Sequence, residues 1–163
     1  MPTNKLTHLD SEGSAHMVDI GDKPVTARRA VAEGRVRISG ALAAAIRSNT
    51  LAKGNLLDVA RLAGIQAAKR TDELIPLCHS LPLDAIHVEA TLVDCAIHLR
   101  AEARTSWKTG VEMEALTAVT VAALTVVDMG KAIDKAMTIE GVRIVEKSGG
   151  RSGDFSAEKQ AGA

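Results

Sequence analysis

The chain has 163 residues, 46% of them apolar and 25% charged, enough to bury one continuous core. Trp107 and Phe155 are its aromatic residues and it has no tyrosine, so the core is aliphatic and base-stacking platforms for single-stranded nucleic acid are excluded. With 20 basic and 20 acidic residues the formal charge is zero, so no global field draws it to nucleic acid or anionic lipid, and a charged ligand must meet a local cluster.

Residues 1–15 are polar and expected to be a mobile N-terminal segment without the apolar run of a signal peptide. Arg35-Val36-Arg37-Ile38 alternates as a half-buried strand does. Ser39-Gly40 then opens an Ala-rich helix, Ala41 to Arg47, broken at Ser48-Asn49-Thr50. A longer helix is expected from about Asn55 to Asp72, with Leu56, Ala60, Ala63 and Ala67 forming a small-residue stripe for close packing. Pro76 ends this region. Ile86, Val88, Ala90 and Leu92, then Ile97, Leu99, Ala101 and Ala103, alternate with polar residues around a turn at Asp94, as in a hairpin with one apolar face. A long helix from about Val111 to Ala136 and a strand from about Thr138 to Glu146, with Val142 and Ile144 inward, complete the domain. The Gly/Ser-rich tail, residues 148–163, has no apolar period.

Strand, helices, strand, strand, helix, strand is the order of an α+β, ferredoxin-like fold, an antiparallel sheet with helices packed on one face. A single such domain is expected over residues 16–147. No stretch is uninterruptedly apolar for the length of a membrane span, and Cys78 and Cys95 form no disulfide framework, so a reducing cytoplasm is expected.

Chemistry concentrates on the long helix. At 100° per residue Glu114, Thr117, Val121, Thr125, Asp128, Lys131 and Lys135 share one arc of an otherwise apolar helix, so this polar stripe is expected to be partly buried and partnered. Asp128 and Lys131, spaced i, i+3, are in reach of each other, as an ordinary helical ion pair or as an acid–base couple. Glu114 and Lys131 lie roughly 25 Å apart along a helix, too far for one small molecule to bridge within a chain. Either they serve different purposes or two antiparallel copies of the helix build composite sites.

Other clusters are weaker alone. Lys53-Gly54 precedes a helix start, a setting that suits an anion. Lys69-Arg70 ends a helix, where cations more often complement its dipole. Pro76-Leu77-Cys78-His79 lacks zinc-ligand spacing, and no metal-ligand motif appears elsewhere. Lys147-Ser148-Gly149-Gly150-Arg151-Ser152-Gly153 has the cations and glycines of a phosphate cradle without being a Walker loop.

Six segments in order resemble the cyclic pyranopterin monophosphate synthase (MoaC) family. They are His16-Met17-Val18-Asp19, Ala63-Gly64-Ile65-Gln66-Ala67-Ala68-Lys69-Arg70-Thr71, Ile75-Pro76-Leu77-Cys78-His79, Lys108 through Thr117, Asp128-Met129-Gly130-Lys131, and Lys147 through Phe155. The resemblance implies an enzyme, a lyase of molybdenum-cofactor biosynthesis. It would convert a 3′,8-cyclised dihydro-GTP to cyclic pyranopterin monophosphate and pyrophosphate, as a homohexamer built as a trimer of dimers with sites at subunit interfaces. Carried over by position, Asp128 and Lys131 would be the catalytic pair and Lys53 a second proton-transfer or phosphate group. Leu77, Cys78 and His79 would line the pocket, and Met113 and Glu114, beside Glu112, would hold the guanine-derived ring. Charge alone adds Arg28, Lys147 and Arg151 as triphosphate contacts. No cofactor is expected to be required, and whether magnesium accompanies the triphosphate stays open. Ser80 and Asn55 depart from the family's usual proline and aspartate, which touches loop shape.

A binding module without chemistry, an RNA-binding domain of the same topology and a metalloenzyme are the rival readings. The absence of stacking rings weighs against the second and the missing ligand motif against the third.

Overall fold

The computed structural model describes residues 13–150 and 153–157. Its elements are β1 (Thr26–Arg37), α1 (Gly40–Arg47), α2 (Leu56–Ala68), α3 (Thr71–Leu74), β2 (Ala85–Val93), β3 (Ala96–Trp107), α4 (Glu112–Gly130), β4 (Thr138–Ser148) and β5 (Phe155–Ser156). The sheet order is β2-β3-β1-β4-β5, with every neighbouring pair antiparallel. Its first four strands have the ferredoxin-like order. The expected α+β fold is observed.

One sheet face carries the aliphatic core: Ala30, Ala32 and Val36 of β1 and Ile97, Leu99, Ala101 and Ala103 of β3 meet Leu56, Ala60, Ala115, Val119, Ala122 and Val126 of the helices. The contact between α2 and α4 is unusually close. A Cβ on Gly64 would lie 2.8 Å from the main-chain oxygen of Ala118, so only glycine fits there. Gly64, rather than the half-exposed Ala63, completes the buried stripe with Leu56, Ala60 and Ala67.

The opposite face is charged. Arg29 binds Glu102 and Glu146, each at 2.7 Å, and Arg100 reaches Glu146 at 2.7 Å. Val31, opposite Glu102 and Glu146 in the register, is fully buried on this side.

Several boundaries differ from the sequence expectation. β1 begins nine residues before Arg35, and Ala30, Val31 and Ala32 are all buried, which hides the alternation that marks a strand. The helix expected over Asn55–Asp72 divides at Lys69–Arg70 into α2 and the one-turn α3. α4 stops at Gly130, not Ala136. The chain turns there through bonds from Ile133 and Asp134 N–H to the Gly130 carbonyl, and the buried Asp134 carboxylate accepts from Ser39 N and Ala136 N. β4 slips register against β1 at Val31/Ala32 and Glu33/Arg35. Ile144 packs against the core as expected, Val142 lies on the same side near Gly34 and Val119 but is 36% exposed, and Val145, not expected inward, is buried. Among the described residues α4 is long and apolar enough by composition alone to span a membrane, but Glu112, Glu114, its threonines and Asp128 interrupt the apolar run, and 56% of its most apolar stretch is buried inside the domain.

Candidate functional site

The first cluster forms at the N-terminus of α4. Val111 supplies no side-chain cap, and the first turn carries Glu112 and Glu114 near the free amides of the helix start, where carboxylates are favoured. Glu114 is 4% exposed, and its Oε2 has no hydrogen-bond partner among the described residues. Burial pushes its carboxyl up from the ordinary 4.5 to about 7, against the pull of its own amide and with Glu112 and Asp72 adding to the rise. A half-neutral carboxyl at physiological pH can therefore donate or accept at this point.

Three segments wall the cavity of about 390 Å³ in front of it. The loop after α3, held by Cys78 N–H donating to the Ile75 carbonyl at 3.0 Å, supplies Leu77, Cys78, His79 and Leu81. The β3–α4 connection supplies Thr109 and Gly110, and α4 adds Glu112, Met113 and Glu114. Residues before β1 close the third side with Val18, Ile20 and Lys23. His79 Nε2 donates to the Val18 carbonyl at 2.6 Å, so this nitrogen carries a proton and faces the chain rather than the cavity. Burial, then Glu114 and Asp72, raise the Cys78 thiol above its usual range, which makes it a pocket wall and not a thiolate nucleophile.

Arg28 and Lys147 sit on the shoulder of this cavity, in a small cleft that shares Gly110 and Glu112 with it. Lys147 Nζ lies 3.4 Å from Glu112 Oε1. Arg28 donates through Nε to Thr26 Oγ1 at 2.6 Å, and its guanidinium lies against Gly150, where a Cβ would fall 1.8 Å from Nη1. Gly150, at φ +82°, thus supplies both the turn and the space the arginine needs. Arg151 lies outside the described residues.

The second cluster is at the other end of α4. Asp128 accepts from Lys131 Nζ at 2.6 Å on Oδ1 and from Lys53 Nζ at 2.7 Å on Oδ2. Lys53 arrives on the α1–α2 connection, shaped by Gly54 at φ +86° donating to the Leu51 carbonyl at 3.0 Å. Lys131, then Lys53, hold the Asp128 carboxyl down to about 2. Side-chain exposures of 50%, 56% and 62% for Lys53, Asp128 and Lys131 correct the expectation of a buried stripe. Glu114 and Thr117 are buried, whereas in the last turn Asp128 faces solvent beside the buried Met129 and Gly130.

The fold thus brings Leu77, Cys78, His79, Glu112, Met113 and Glu114 to one cavity, with Arg28 and Lys147 beside it. It brings Lys53, Asp128 and Lys131 to a separate surface, and from Glu114 to Asp128 the helix rises roughly 21 Å. Val18, Ile20, Lys23, Thr109 and Gly110 are cavity residues that the sequence reading did not select. The motifs around His16–Asp19 and Lys108–Thr117 contain Val18, Thr109 and Gly110, whereas Ile20 and Lys23 lie outside every motif. A larger hollow of about 520 Å³ on the charged sheet face is lined by Arg35, Arg100 and Arg143, but Glu140, Glu146 and Glu33 already neutralise these. Among the described residues no three His, Cys, Asp or Glu side chains converge to hold a metal.

The chain matches the MoaC family over residues 17–150. It is 54% identical over 154 residues to a cyclic pyranopterin monophosphate synthase of Novosphingobium aromaticivorans, covering 94% of this chain and 98% of that one. A protein of the same name from Parvibaculum lavamentivorans is 51% identical over 160 residues, covering 97% and 100%. Another, from Chloroflexus aurantiacus, is 56% identical over 154 residues, covering 93% and 94%.

Proposed function

The chain belongs to the MoaC family, and from that premise we propose that it carries out the cyclic pyranopterin monophosphate synthase reaction of molybdenum-cofactor biosynthesis. The substrate is (8S)-3′,8-cyclo-7,8-dihydroguanosine 5′-triphosphate, and the products are cyclic pyranopterin monophosphate and pyrophosphate. The observation that carries this reading is the pair of clusters on one helix, a ring-sized cavity around Glu114 and the Lys53–Asp128–Lys131 group, in a chain similar to these synthases over nearly its whole length.

Each cluster suits one part of the chemistry. In the cavity Met113 and Leu77 offer apolar walls, and the Glu114 carboxyl offers an acceptor to ring N–H groups. Arg28 and Lys147 on its shoulder suit the phosphates. Opening and reclosing the base requires protons to be delivered and withdrawn at several atoms. Lys131 and Lys53, bridged by an Asp128 that stays ionised, are donors held at fixed positions for that work. Closing the cyclic phosphate requires a sugar hydroxyl aimed at the first phosphate while pyrophosphate leaves. Positioning and positive charge favour that step, with the proton leaving the hydroxyl as the P–O bond to pyrophosphate breaks. No cofactor enters this scheme, and magnesium would come only with the triphosphate.

The spacing of the clusters favours sites shared between subunits. Two antiparallel copies of α4 would bring one chain's Glu114 cavity to the other's Lys131, within the homohexamer, a trimer of dimers, that we assign to the protein in the cytoplasm. Exposed Val59 and Leu62 on α2 and Leu124 on α4 give the helical layer apolar surface suited to such contacts.

The test is incubation of the purified protein with the cyclised dihydro-GTP, following pterin and pyrophosphate by mass spectrometry. Both products are expected, and both should vanish on Lys131→Ala. Tight binding of the substrate with neither product formed would make this a binding protein and overturn the assignment.

A further inference from the structure

The segment before β1 crosses the Glu114 cavity as a strap. Val18, Ile20 and Lys23 are half-buried and line the cavity, while Asp19, Gly21 and Asp22 between them are exposed. The strap has its own local structure: Gly21 N–H donates to Asp19 Oδ1 at 2.7 Å, and Lys23 N–H donates to the Ile20 carbonyl at 3.1 Å. Two side chains from opposite walls clasp its backbone. His79, on the loop after α3, donates to the Val18 carbonyl at 2.6 Å. Lys108, on the β3–α4 connection, donates to the Gly21 carbonyl at 2.5 Å.

We propose that Lys108 is a positioning residue: by clasping the Gly21 carbonyl it holds the strap across the cavity and so fixes Lys23 and Ile20 in the wall that the substrate contacts. Lys108 is half-buried as a residue, and its ammonium is directed at the strap's main chain. Its partner is the carbonyl at the tip of the Asp19–Lys23 turn, two residues before Lys23. A charged donor on a neutral carbonyl is a stronger tether than a neutral hydrogen bond. Losing it leaves, of these two clasps, the one on Val18, with Ile20 and Lys23 free to swing from the cavity. The effect falls on binding, because the Lys53–Asp128–Lys131 group at the far end of α4 is untouched.

The substrate arm of the test rests on the function proposed above, whereas the conformational arm does not. Hydrogen exchange of the amides from Asp19 to Lys23 is compared in the wild type, Lys108→Met and Lys108→Arg. In Lys108→Met these amides should exchange at least about tenfold faster, with α4 unchanged as an internal control for the fold. With the cyclised dihydro-GTP, KM should rise about tenfold while kcat stays within about twofold, and arginine should restore both exchange and KM. Unchanged strap exchange overturns the proposal, as does a fall in kcat at constant KM, which would place Lys108 in the chemistry. A wild type without turnover would overturn the assigned reaction and leave the exchange rates to decide the clasp.

Discussion

Lys53 and Asp128, 75 positions apart, meet twice: Lys53 Nζ lies 2.7 Å from Asp128 Oδ2 and 3.0 Å from the main-chain oxygen of the same residue. One ammonium therefore neutralises a carboxylate and satisfies a carbonyl in the last turn of α4, where cations complement the helix dipole. Lys131, the C-cap residue, holds the other carboxylate oxygen. A loop and a helix end are joined through the carboxylate that the two lysines share.

Because this group is open to solvent, its loss should separate catalysis from stability. Replacing Lys131 or Lys53 by alanine is expected to lower turnover by about 10²–10⁴-fold. The melting temperature should move by no more than about 2 °C, because exposed ion pairs add little to stability. Asp128 is held down to about 2, so its contribution is complete above the ordinary aspartate range and is lost only as pH falls through about 2. An acid limb in the pH–rate profile near neutrality must then belong to another group. A wild-type limb of that kind that vanishes in Asp128→Asn with turnover retained would contradict this.

Glu114 behaves in the opposite sense. Its carboxyl ionises at about 7 when folded, against 4.5 ordinarily, so between those values the folded protein binds a proton that the unfolded chain has released. Stability therefore falls as pH rises from about 4.5 to about 7 and levels off above, by an amount on the order of 3 kcal/mol. Glu114→Gln should remove most of that slope. Urea midpoints measured at about pH 5 and about pH 8 in both proteins check it. An equal slope in the two would mean that Glu114 is ionised in its cavity.

The alternating hairpin β2–β3 was legible because one face is buried and the other wetter, so burial repeats at the period of the strand, and α4 was legible as a long, largely apolar run that the core surrounds. The first nine residues of β1 were not, because Ala30, Val31 and Ala32 are buried on both faces and Arg28-Arg29 break the pattern. Period arguments also missed the buried Val145, since a bulge leaves no trace in residue types. At the site, Asp128 and Lys131 were visible as an i, i+3 pair, and Glu114 as a carboxylate on an apolar helix. Lys53 was placed with them by the family resemblance, but the contact that joins it to Asp128 across distant segments shows only in the fold. Ile20 and Lys23 carry no local signal at all, and Val18 has only its place in the His16–Asp19 motif: what makes them cavity residues is the course of a strap whose tethers are His79 and Lys108.

Gly64 tests the packing that sets α4 against α2. Alanine is the better helix former by roughly 1 kcal/mol, so on local grounds Gly64→Ala should stabilise α2. A Cβ there would instead lie 2.8 Å from the Ala118 carbonyl oxygen and 3.2 Å from Val88 Cγ1. The helices must separate, and the expected result is a net loss of about 1–3 kcal/mol, measured by urea unfolding. A gain in stability would show that the interface yields without cost.

The separation of the two clusters makes the shared site testable by complementation. Glu114→Ala and Lys131→Ala are each expected to be inactive when purified alone. If a site takes Glu114 from one chain and Lys131 from the other, a mixed dimer of these variants holds one site with both defects and one with neither. Co-expression with random pairing should then recover roughly a quarter of wild-type activity, because half the dimers are mixed and each has one intact site of two. If both residues served a site within a single chain, every site would carry one defect, and mixing would recover nothing. The roughly 21 Å that α4 puts between Glu114 and Asp128 argues for recovery. Activity that stays at background in co-expressed dimers would require one substrate to span the length of the helix.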